Sequence, residues 1–282
     1  MGREYAPLEV PAATEIRAKR HSLFRSFYVT NERLILGALA VTSFFLGWEI
    51  MGRSGYINPL FLSSPSKIID TGWDLYVSGE IVSDFKISGK EFVLGYALSI
   101  VVGVPLGILV GWYKRLNYVF DPFLSALYAT PRITLLPLII MWFGIGLSSK
   151  IVIIFLGAVF PIIISSLTGV KTVDTRLLNV ARCFGAKEQD IFKKVIIQSC
   201  VPFIITGLRL GLAQAIIGVI VAEFFSARGG IGFMITTAGA MFETNTVFVG
   251  IMITAFCGIT FTEILRRIEK RFEKWRPKVG AA

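Results

Sequence analysis

Two arginines and one glutamate stand where an apolar chain has no ordinary use for charge. Arg132 lies in the proline-interrupted run 121–144, Arg209 lies in the run 201–223, and Glu223 closes that second run. An arginine at the centre of a bilayer costs about 2.5–3.5 kcal/mol on insertion scales, so such residues face a partner or a water-filled cavity. Two chemistries fit. One is a cationic stretch of pathway suited to small anions. The other is a clamp between helices, with the guanidinium held by backbone carbonyls or reaching toward the cytoplasm. Arg209 reads first as a clamp, whereas Arg132 supports both readings equally. Glu223 is 14 residues beyond Arg209, about 21 Å along a helix, so the two cannot pair within it. It is not expected in a catalytic carboxylate pair.

Other chemistries lack their parts. The single histidine, His21, precedes the first apolar run, and Cys183, Cys200 and Cys257 have no metal-type spacing, so free thiols are expected. No G-x-x-x-x-G-K-[ST] sequence is present to cradle a nucleotide phosphate. The glycines of Gly229-Gly230-Ile231-Gly232 follow an apolar run, not a strand, and read as a tight turn. No catalysis, metal or cofactor is expected of this chain.

The elements that must position Arg132, Arg209 and Glu223 are helices in a membrane. Hydrophobic residues make up 54% of the 282 and charged residues 17%, with a mean hydropathy of +0.68. A soluble domain of this length carries about 25% charge. A span needs about 20 apolar residues, and six runs qualify: 34–52, 91–111, 121–144, 149–170, 201–223 and 246–265. The expected fold is therefore an all-α integral membrane protein of six transmembrane helices. Pro122, Pro131 and Pro137 should kink or break the third, a feature tolerated where neighbours or a cavity satisfy the freed backbone. Gly103, Gly107 and Gly111 recur every four residues in the second, joined by Gly95, and favour close packing within the bundle. No cleavable leader is expected ahead of residue 34.

Charge placement sets the orientation. Of the 29 lysines and arginines, 21 fall in residues 1–33, 112–120, 171–200 and 266–282, while six (Arg53, Lys67, Lys86, Lys90, Lys150 and Arg228) fall on the opposite face. The positive-inside rule puts the richer face and both termini in the cytoplasm. The net charge of +10 thus reports topology, not nucleic acid. In the outer loop, 53–90, Ser64-Pro65 marks a helix start, and Ile68, Ile69, Trp73 and Tyr76 follow at helical spacing. Glu49 with Arg53, and Glu263 with Arg266 or Arg267, are spaced for local salt bridges.

One segment is out of character. Lys171 to Pro202 is basic and helix-forming, yet lies between Ile151–Val170, which has no charge, and Phe203–Ala222, whose only charge is Arg209. Gly185 and Ala186 interrupt it, and Gly185 lets the chain turn between two helices. In the second of these, Ile191 and Val195 share a face while Lys187, Asp190 and Lys194 point elsewhere. An apolar ridge with charged flanks fits a groove on a cytoplasmic partner.

The residues of this segment resemble the cytoplasmic loop of bacterial ABC-importer permeases. That pattern runs Glu-Ala-Ala, three residues, Gly, nine residues, Ile, one residue, Leu-Pro. Ala181 and Gly185 match outright. Asn179, Val180, Val195, Ile197 and Gln198 stand at the remaining positions with other residue types. The stretches LYATPRITLLPLIIMWFGIGLSSK (127–150) and ITGLRLGLAQAIIGVIVAEFF (205–225), with Trp275, are similar to the nitrate/sulfonate/taurine/bicarbonate branch of that family.

The resemblance implies a type I importer-like permease of the bacterial cytoplasmic (inner) membrane. Residues 1–33 and 266–282 would be cytoplasmic tails, and 34–265 the transmembrane domain. Two cytoplasmic ATPase subunits would hold ATP and Mg and bind the 171–200 segment, with Ala181, Gly185, Ala186, Lys187, Asp190 and Ile191 at the coupling contact. A second, identical permease copy and an extracytoplasmic substrate-binding protein would complete the assembly, surrounded by lipid, with Glu223 at the outer gate or at the contact with that delivery protein. The cargo implied is a sulfonate, taurine, nitrate, bicarbonate, an aromatic carboxylate or a heterocyclic vitamin precursor, and the arginines favour an anion. A stand-alone secondary transporter or channel is the alternative. It would show inverted repeats and usually more spans, and no such repeat is evident.

Overall fold

The computed structural model describes residues 13–226 and 228–272, and every regular element among them is helical. Trp275, Arg3 and the basic residues Lys274, Arg276 and Lys278 lie outside the described residues. The chain divides into two units, Met1–Ser66 and Lys67–Ala282. Five helices are long and apolar enough to cross a membrane, and one sharply bent pair makes a sixth span.

The first unit is built on α1 (Ala13–Arg53), which begins some twenty residues before the apolar run, so the expected polar tail 1–33 is largely helix. Leu34, Leu39, Phe44 and Ile50 are exposed along it, as suits a helix whose solvent is lipid. At its end the Glu49 carboxylate pairs with Arg53 and accepts from Ser66 through both N–H (3.0 Å) and Oγ (2.7 Å). Glu49 thus caps the first turn of α2 (Pro65–Val77), the short helix expected from Ser64-Pro65.

In the second unit, α6 (Leu147–Lys171) is the central strut, flanked by α3 (Glu80–Trp112) and α9 (Ile197–Ser226). Small residues set the spacing. The four-residue glycine repeat of α3 faces α6, as the sequence predicts: Gly103 meets Ile162, Gly107 meets Ile163 and Ser166, and Gly111 meets Val170. A methyl group on Gly107 would sit 2.6 Å from the Ile163 carbonyl oxygen. On the other side of α6, Gly207 and Gly211 of α9 lie against Ser165 and Ile162. Ile154, Ala158, Ala215 and Val219 form one fully dehydrated layer of this contact.

The third span is broken, and the break has one cause. α4 (Lys114–Ala129) stops where Thr130 adopts extended backbone (φ −71°, ψ 128°) ahead of Pro131, because a proline ring disfavours the helical region for the residue before it. A 3₁₀ turn (Arg132–Leu135) then leads into α5 (Leu136–Phe143) at 92° to α4. Pro137 falls in the first turn of α5, where a missing N–H costs nothing, and Pro122 sits inside α4 without ending it.

Several expected loops are helix. Lys114 and Arg115, placed by the sequence in a 112–120 loop, open α4 directly after Tyr113, and α3 already begins at Glu80, inside the stretch read as a loop to residue 90. The basic segment does contain a helix, α7 (Thr175–Cys183), with Asp174 accepting from Arg176 N–H (2.8 Å) as its cap. Its second helix is not a separate element. α8 (Glu188–Ile191) passes through a π-helical turn (Phe192–Ile196) straight into α9, because nothing between Lys187 and Pro202 breaks a helix. The span is therefore Glu188–Phe225. It is followed by the short α10 (Ile231–Ala240) and by α11 (Thr244–Phe272).

The α3–α6 contact predicts a specific asymmetry among glycines. Gly107→Ala should cost about 1–3 kcal/mol by overpacking and lower the unfolding midpoint in detergent. Gly89→Ala, where an added methyl meets nothing within 4 Å, should leave the midpoint unchanged or raised.

Candidate functional site

The break at Pro131 delivers Arg132 to the bundle interior. Its Nη1 donates to the Gly157 carbonyl of α6 (3.1 Å) and to Gln214 Oε1 of α9 (3.0 Å). The guanidinium lies over the rings of Tyr128 (5.7 Å) and Phe160 (6.0 Å), an arrangement that favours a desolvated cation. Gly157 is what allows the carbonyl contact: α6 is bare there, and Gln214 O lies 3.1 Å from where a Cβ would stand. A cavity of about 310 Å³ opens beside the guanidinium, lined by Tyr128, Thr130, Gln214, Ile217 and Val221. Of the five guanidinium donors, the two on Nη1 are spent. Nε–H and both hydrogens of Nη2 make no hydrogen bond among the described residues. Arg132 is thus a clamp and a cavity wall at once, with three N–H donors left unspent.

Arg209 answers differently. Its Nη1 pairs with Glu269 Oε2 of α11 at 2.8 Å, and Thr206 Oγ1 donates to Glu269 Oε1 at 2.7 Å. It clamps α9 to α11 through a carboxylate, not through the carbonyls the sequence reading offered, and it does not line the Arg132 cavity.

Glu223 is fully buried, not placed on a surface where a delivery protein could touch it. Its carboxylate accepts from Ser88 Oγ of α3 and from Gly232 N–H of α10, both at 2.6 Å. One further charge pair was invisible to the sequence reading. Lys150, expected at the outer end of the run 149–170, sits in the first turn of α6 and donates to Glu91 Oε1 of α3 at 2.6 Å, both side chains about 95% buried. Glu91 Oε2 has no partner among the described residues. A lysine one residue before an uncharged twenty-residue run was the available signal, but its partner lies 59 residues earlier.

The turn in the basic segment has a defined geometry. Gly185 adopts φ +76°, its N–H bonds to Arg182 O (2.9 Å), and Ala186 N–H bonds to Ala181 O (3.1 Å). This is a Schellman ending, in which the left-handed residue is glycine because a side chain is strained there. Lys187 precedes α8, with Glu188 paired to Arg182 across the turn (3.2 Å) and Asp190 to Lys194 (3.1 Å). The expected apolar ridge turns inward: Ile191 is completely buried in its own chain, and Val195 packs with Ile196 and Cys200. The exposed apolar face belongs to α7 and its cap instead, where Leu177, Val180 and Phe184 follow at helical spacing, Phe184 being 88% exposed.

A family model described as the inner membrane component of binding-protein-dependent transport systems matches residues 103–274. The chain belongs to this family of ABC-importer permeases. An aliphatic sulfonates transport permease, so named in Bacillus subtilis (strain 168), is 35% identical over 93% of this chain and 94% of its own. The taurine transport system permease of Escherichia coli (strain K12) is 30% identical over 87% of this chain and 90% of its own. The fold is that of an inward-facing MetNI methionine ABC transporter chain, with a TM-score of 0.61 at 17% identity, covering 70% of this permease and 97% of that chain. The permease is a multi-pass inner membrane protein, and its relatives are transport components. Among its described residues no cluster of His, Cys, Asp and Glu could hold a metal ion.

The Glu91–Lys150 pair of the permease carries its own test. Lys150→Met leaves Glu91 buried and uncompensated, which should cost about 3–5 kcal/mol and show as lost folded protein in detergent. Glu91→Leu with Lys150→Met together should recover most of that loss, measured by the fluorescence-monitored unfolding midpoint.

Proposed function

We propose that this permease carries a small oxyanion of the sulfonate class inward across the membrane, past the free edge of Arg132. The observation that carries the reading is an arginine that lines a cavity of about 310 Å³ with Nε–H and Nη2 unbonded while Nη1 is tied to the protein. A pocket of that size lies at the small end of ligand sites. Sulfonate and taurine each present three oxygens to such a fork, and relatives of the chain are named for aliphatic sulfonates and taurine. The clamp fixes the guanidinium in place, so an anion finds its donors already oriented.

In this reading the Gly185 turn and both termini face the cytoplasm, as the charge distribution supports. Two ATPase subunits hold ATP and Mg and receive the coupling segment. Leu177, Val180 and Phe184 make the apolar contact, and Ala181, Gly185, Ala186, Lys187 and Asp190 shape the turn beneath it. Ile191 contributes by anchoring α8 to its own bundle. A second copy of the chain forms the other half of the pathway, and a binding protein delivers cargo from the opposite face. The permease performs no bond chemistry. It exchanges two conformations whose contacts with cargo and ATPase differ, and that difference drives the cycle.

The complete complex in proteoliposomes tests this with labelled taurine or butanesulfonate. Arg132→Gln should lower uptake at least tenfold with assembly intact, and Arg132→Lys should fall between, because an ammonium lacks the fork. Unchanged uptake in Arg132→Gln removes the arginine from the pathway. Transport by the chain without any ATPase overturns the importer reading altogether.

Gly185→Val addresses the coupling turn separately. A left-handed conformation costs about 1–2 kcal/mol for a residue with a side chain and more for a β-branched one. Cargo-stimulated ATP hydrolysis should collapse in this variant while cargo binding to the isolated binding protein is untouched. Wild-type stimulation in Gly185→Val would remove the turn from the coupling contact.

A further inference from the structure

The N-terminus of α10 is capped entirely by other helices. Three consecutive backbone N–H groups point at three side chains: Gly230 to Asp84 Oδ1 (2.8 Å), Ile231 to Ser88 Oγ (2.9 Å) and Gly232 to Glu223 Oε2 (2.6 Å). Ser88 Oγ in turn donates to Glu223 Oε1 at 2.6 Å, closing the set into one network. Asp84 and Ser88 stand four residues apart on α3 and Glu223 is on α9, so the network ties three helices at a single point. An ordinary helix start takes its cap from the residue just before it. Here that residue is Gly230, which has no side chain to offer and adopts φ +113°.

Four features make this point more than a brace. First, Glu223 is fully buried and forms no ion pair among the described residues; its carboxyl oxygens are met by Ser88 and by the N-terminus of α10. Withdrawing α10 strands a buried carboxylate, so the contact is made or broken as a unit. Second, α10 is a ten-residue helix, too short to span, set between two left-handed residues: Gly230 before it and Phe242 (φ 59°) after it. Third, an apolar cavity of about 390 Å³ adjoins it, lined by Phe85, Ser88 and Phe92 of α3, Ile231 of α10, and Ile253 and Phe261 of α11. The cavity leaves one flank of the α10 N-terminus unpacked, while Met234 and Ala238 stay buried on its other side. Fourth, Glu223 lies near the far end of the helical run Glu188–Phe225 that begins at the Gly185 turn. At 1.5 Å per residue the run is about 55 Å long, so a displacement at the turn arrives at the latch through one rod.

We infer that Asp84, Ser88 and Glu223 are positioning residues for transport, latching the N-terminus of α10 in the resting state of the outer gate and releasing it when α9 moves. The inference rests on the orientation and importer role proposed above. A contact made only in the resting state holds the equilibrium there, and deleting it shifts the population toward the state the ATPase subunits otherwise have to impose.

The test uses the complete complex in lipid nanodiscs, with ATP hydrolysis measured with and without cargo-loaded binding protein. Glu223→Ala, Ser88→Ala and Asp84→Ala should each raise the rate without binding protein several-fold and shrink the stimulation ratio. Asp84→Asn, which keeps an acceptor for Gly230 N–H, should stay close to wild type. Amide exchange over 228–234 gives a second readout that needs no variant. Those amides should be protected in the resting wild-type complex and exchange faster once hydrolysis is blocked in the ATP-bound state. Equal protection in both states overturns the latch, as does an unchanged basal rate in all three alanine variants. A wild-type complex that binding protein fails to stimulate sinks the importer reading instead, and the exchange measurement still reports whether α10 is released.

Discussion

Close approach of α3 and α9 to the two sides of α6 is the constraint on which the other features depend. In lipid there is no hydrophobic drive to bring helices together, so association rests on dispersion contacts and on a few polar ties. Both need short distances. Gly103, Gly107 and Gly111 of α3 and Gly207 and Gly211 of α9 supply them, each placing backbone against a side chain or carbonyl of α6. The Arg132 site is a product of the same spacing. Gly157 leaves its carbonyl open to the guanidinium because it carries no side chain, and Gln214 reaches the same guanidinium because α9 is held at backbone distance. A bulkier residue at 157 would part the helices and shield the oxygen that holds the arginine.

The charges inside the bundle follow from that spacing as well. Each of them crosses a helix boundary: Lys150 to Glu91 joins α6 to α3, Arg209 to Glu269 joins α9 to α11, and Glu223 joins α9 to α3 and α10. Removal of a charge from water is repaid only when geometry and further hydrogen bonds are good. Arg209 and Lys150 meet a full carboxylate. Arg132 does not; it is held by neutral oxygens and two rings, and keeps donors for another ligand. That difference in partner separates a structural cation from a candidate pathway cation, and it is a matter of tertiary placement.

For that reason the sequence disclosed the elements better than the site. Twenty-residue apolar runs are unmistakable, and Thr130-Pro131 carries its break in a local steric rule, so the spans and the bend were legible. The α3 glycine face was legible too, because its period matches a helix. Helix ends were not: α9 runs back through a π-turn to Glu188, since polarity rises there without any breaker, and polarity alone was read as a boundary. Ile191 looked like a docking ridge because its i, i+4 pattern shows which residues share a face, not which neighbour that face meets. The partners of Arg209 and Lys150 lie 60 and 59 residues away, a distance over which no periodicity reports contact. Ser88 and Asp84 fall in the stretch 53–90 that reads as outer loop, where carboxylates and hydroxyls attract no notice, and Glu91 stands at the first position of the run 91–111.

The continuity of α8 with α9 changes what the basic segment is. A separate helix on flexible joints would absorb a push from a cytoplasmic partner as local motion. A helix that continues into the span converts the same push into tilt or translation of α9 as a body, because intrahelical hydrogen bonds resist compression far more than side-chain contacts resist sliding. The π-turn at Phe192–Ile196 and the interior Pro202 are softer points in the rod, and Ile191 and Ile196, both buried, hold the π-turn against the bundle. α9 in turn carries Gln214, which orients Arg132, and Glu223, which anchors α10. Displacement of this single element therefore reaches the cavity and the far end together. In the proposed cycle, access from the two sides of the membrane is exclusive because both gates are read from the position of one helix.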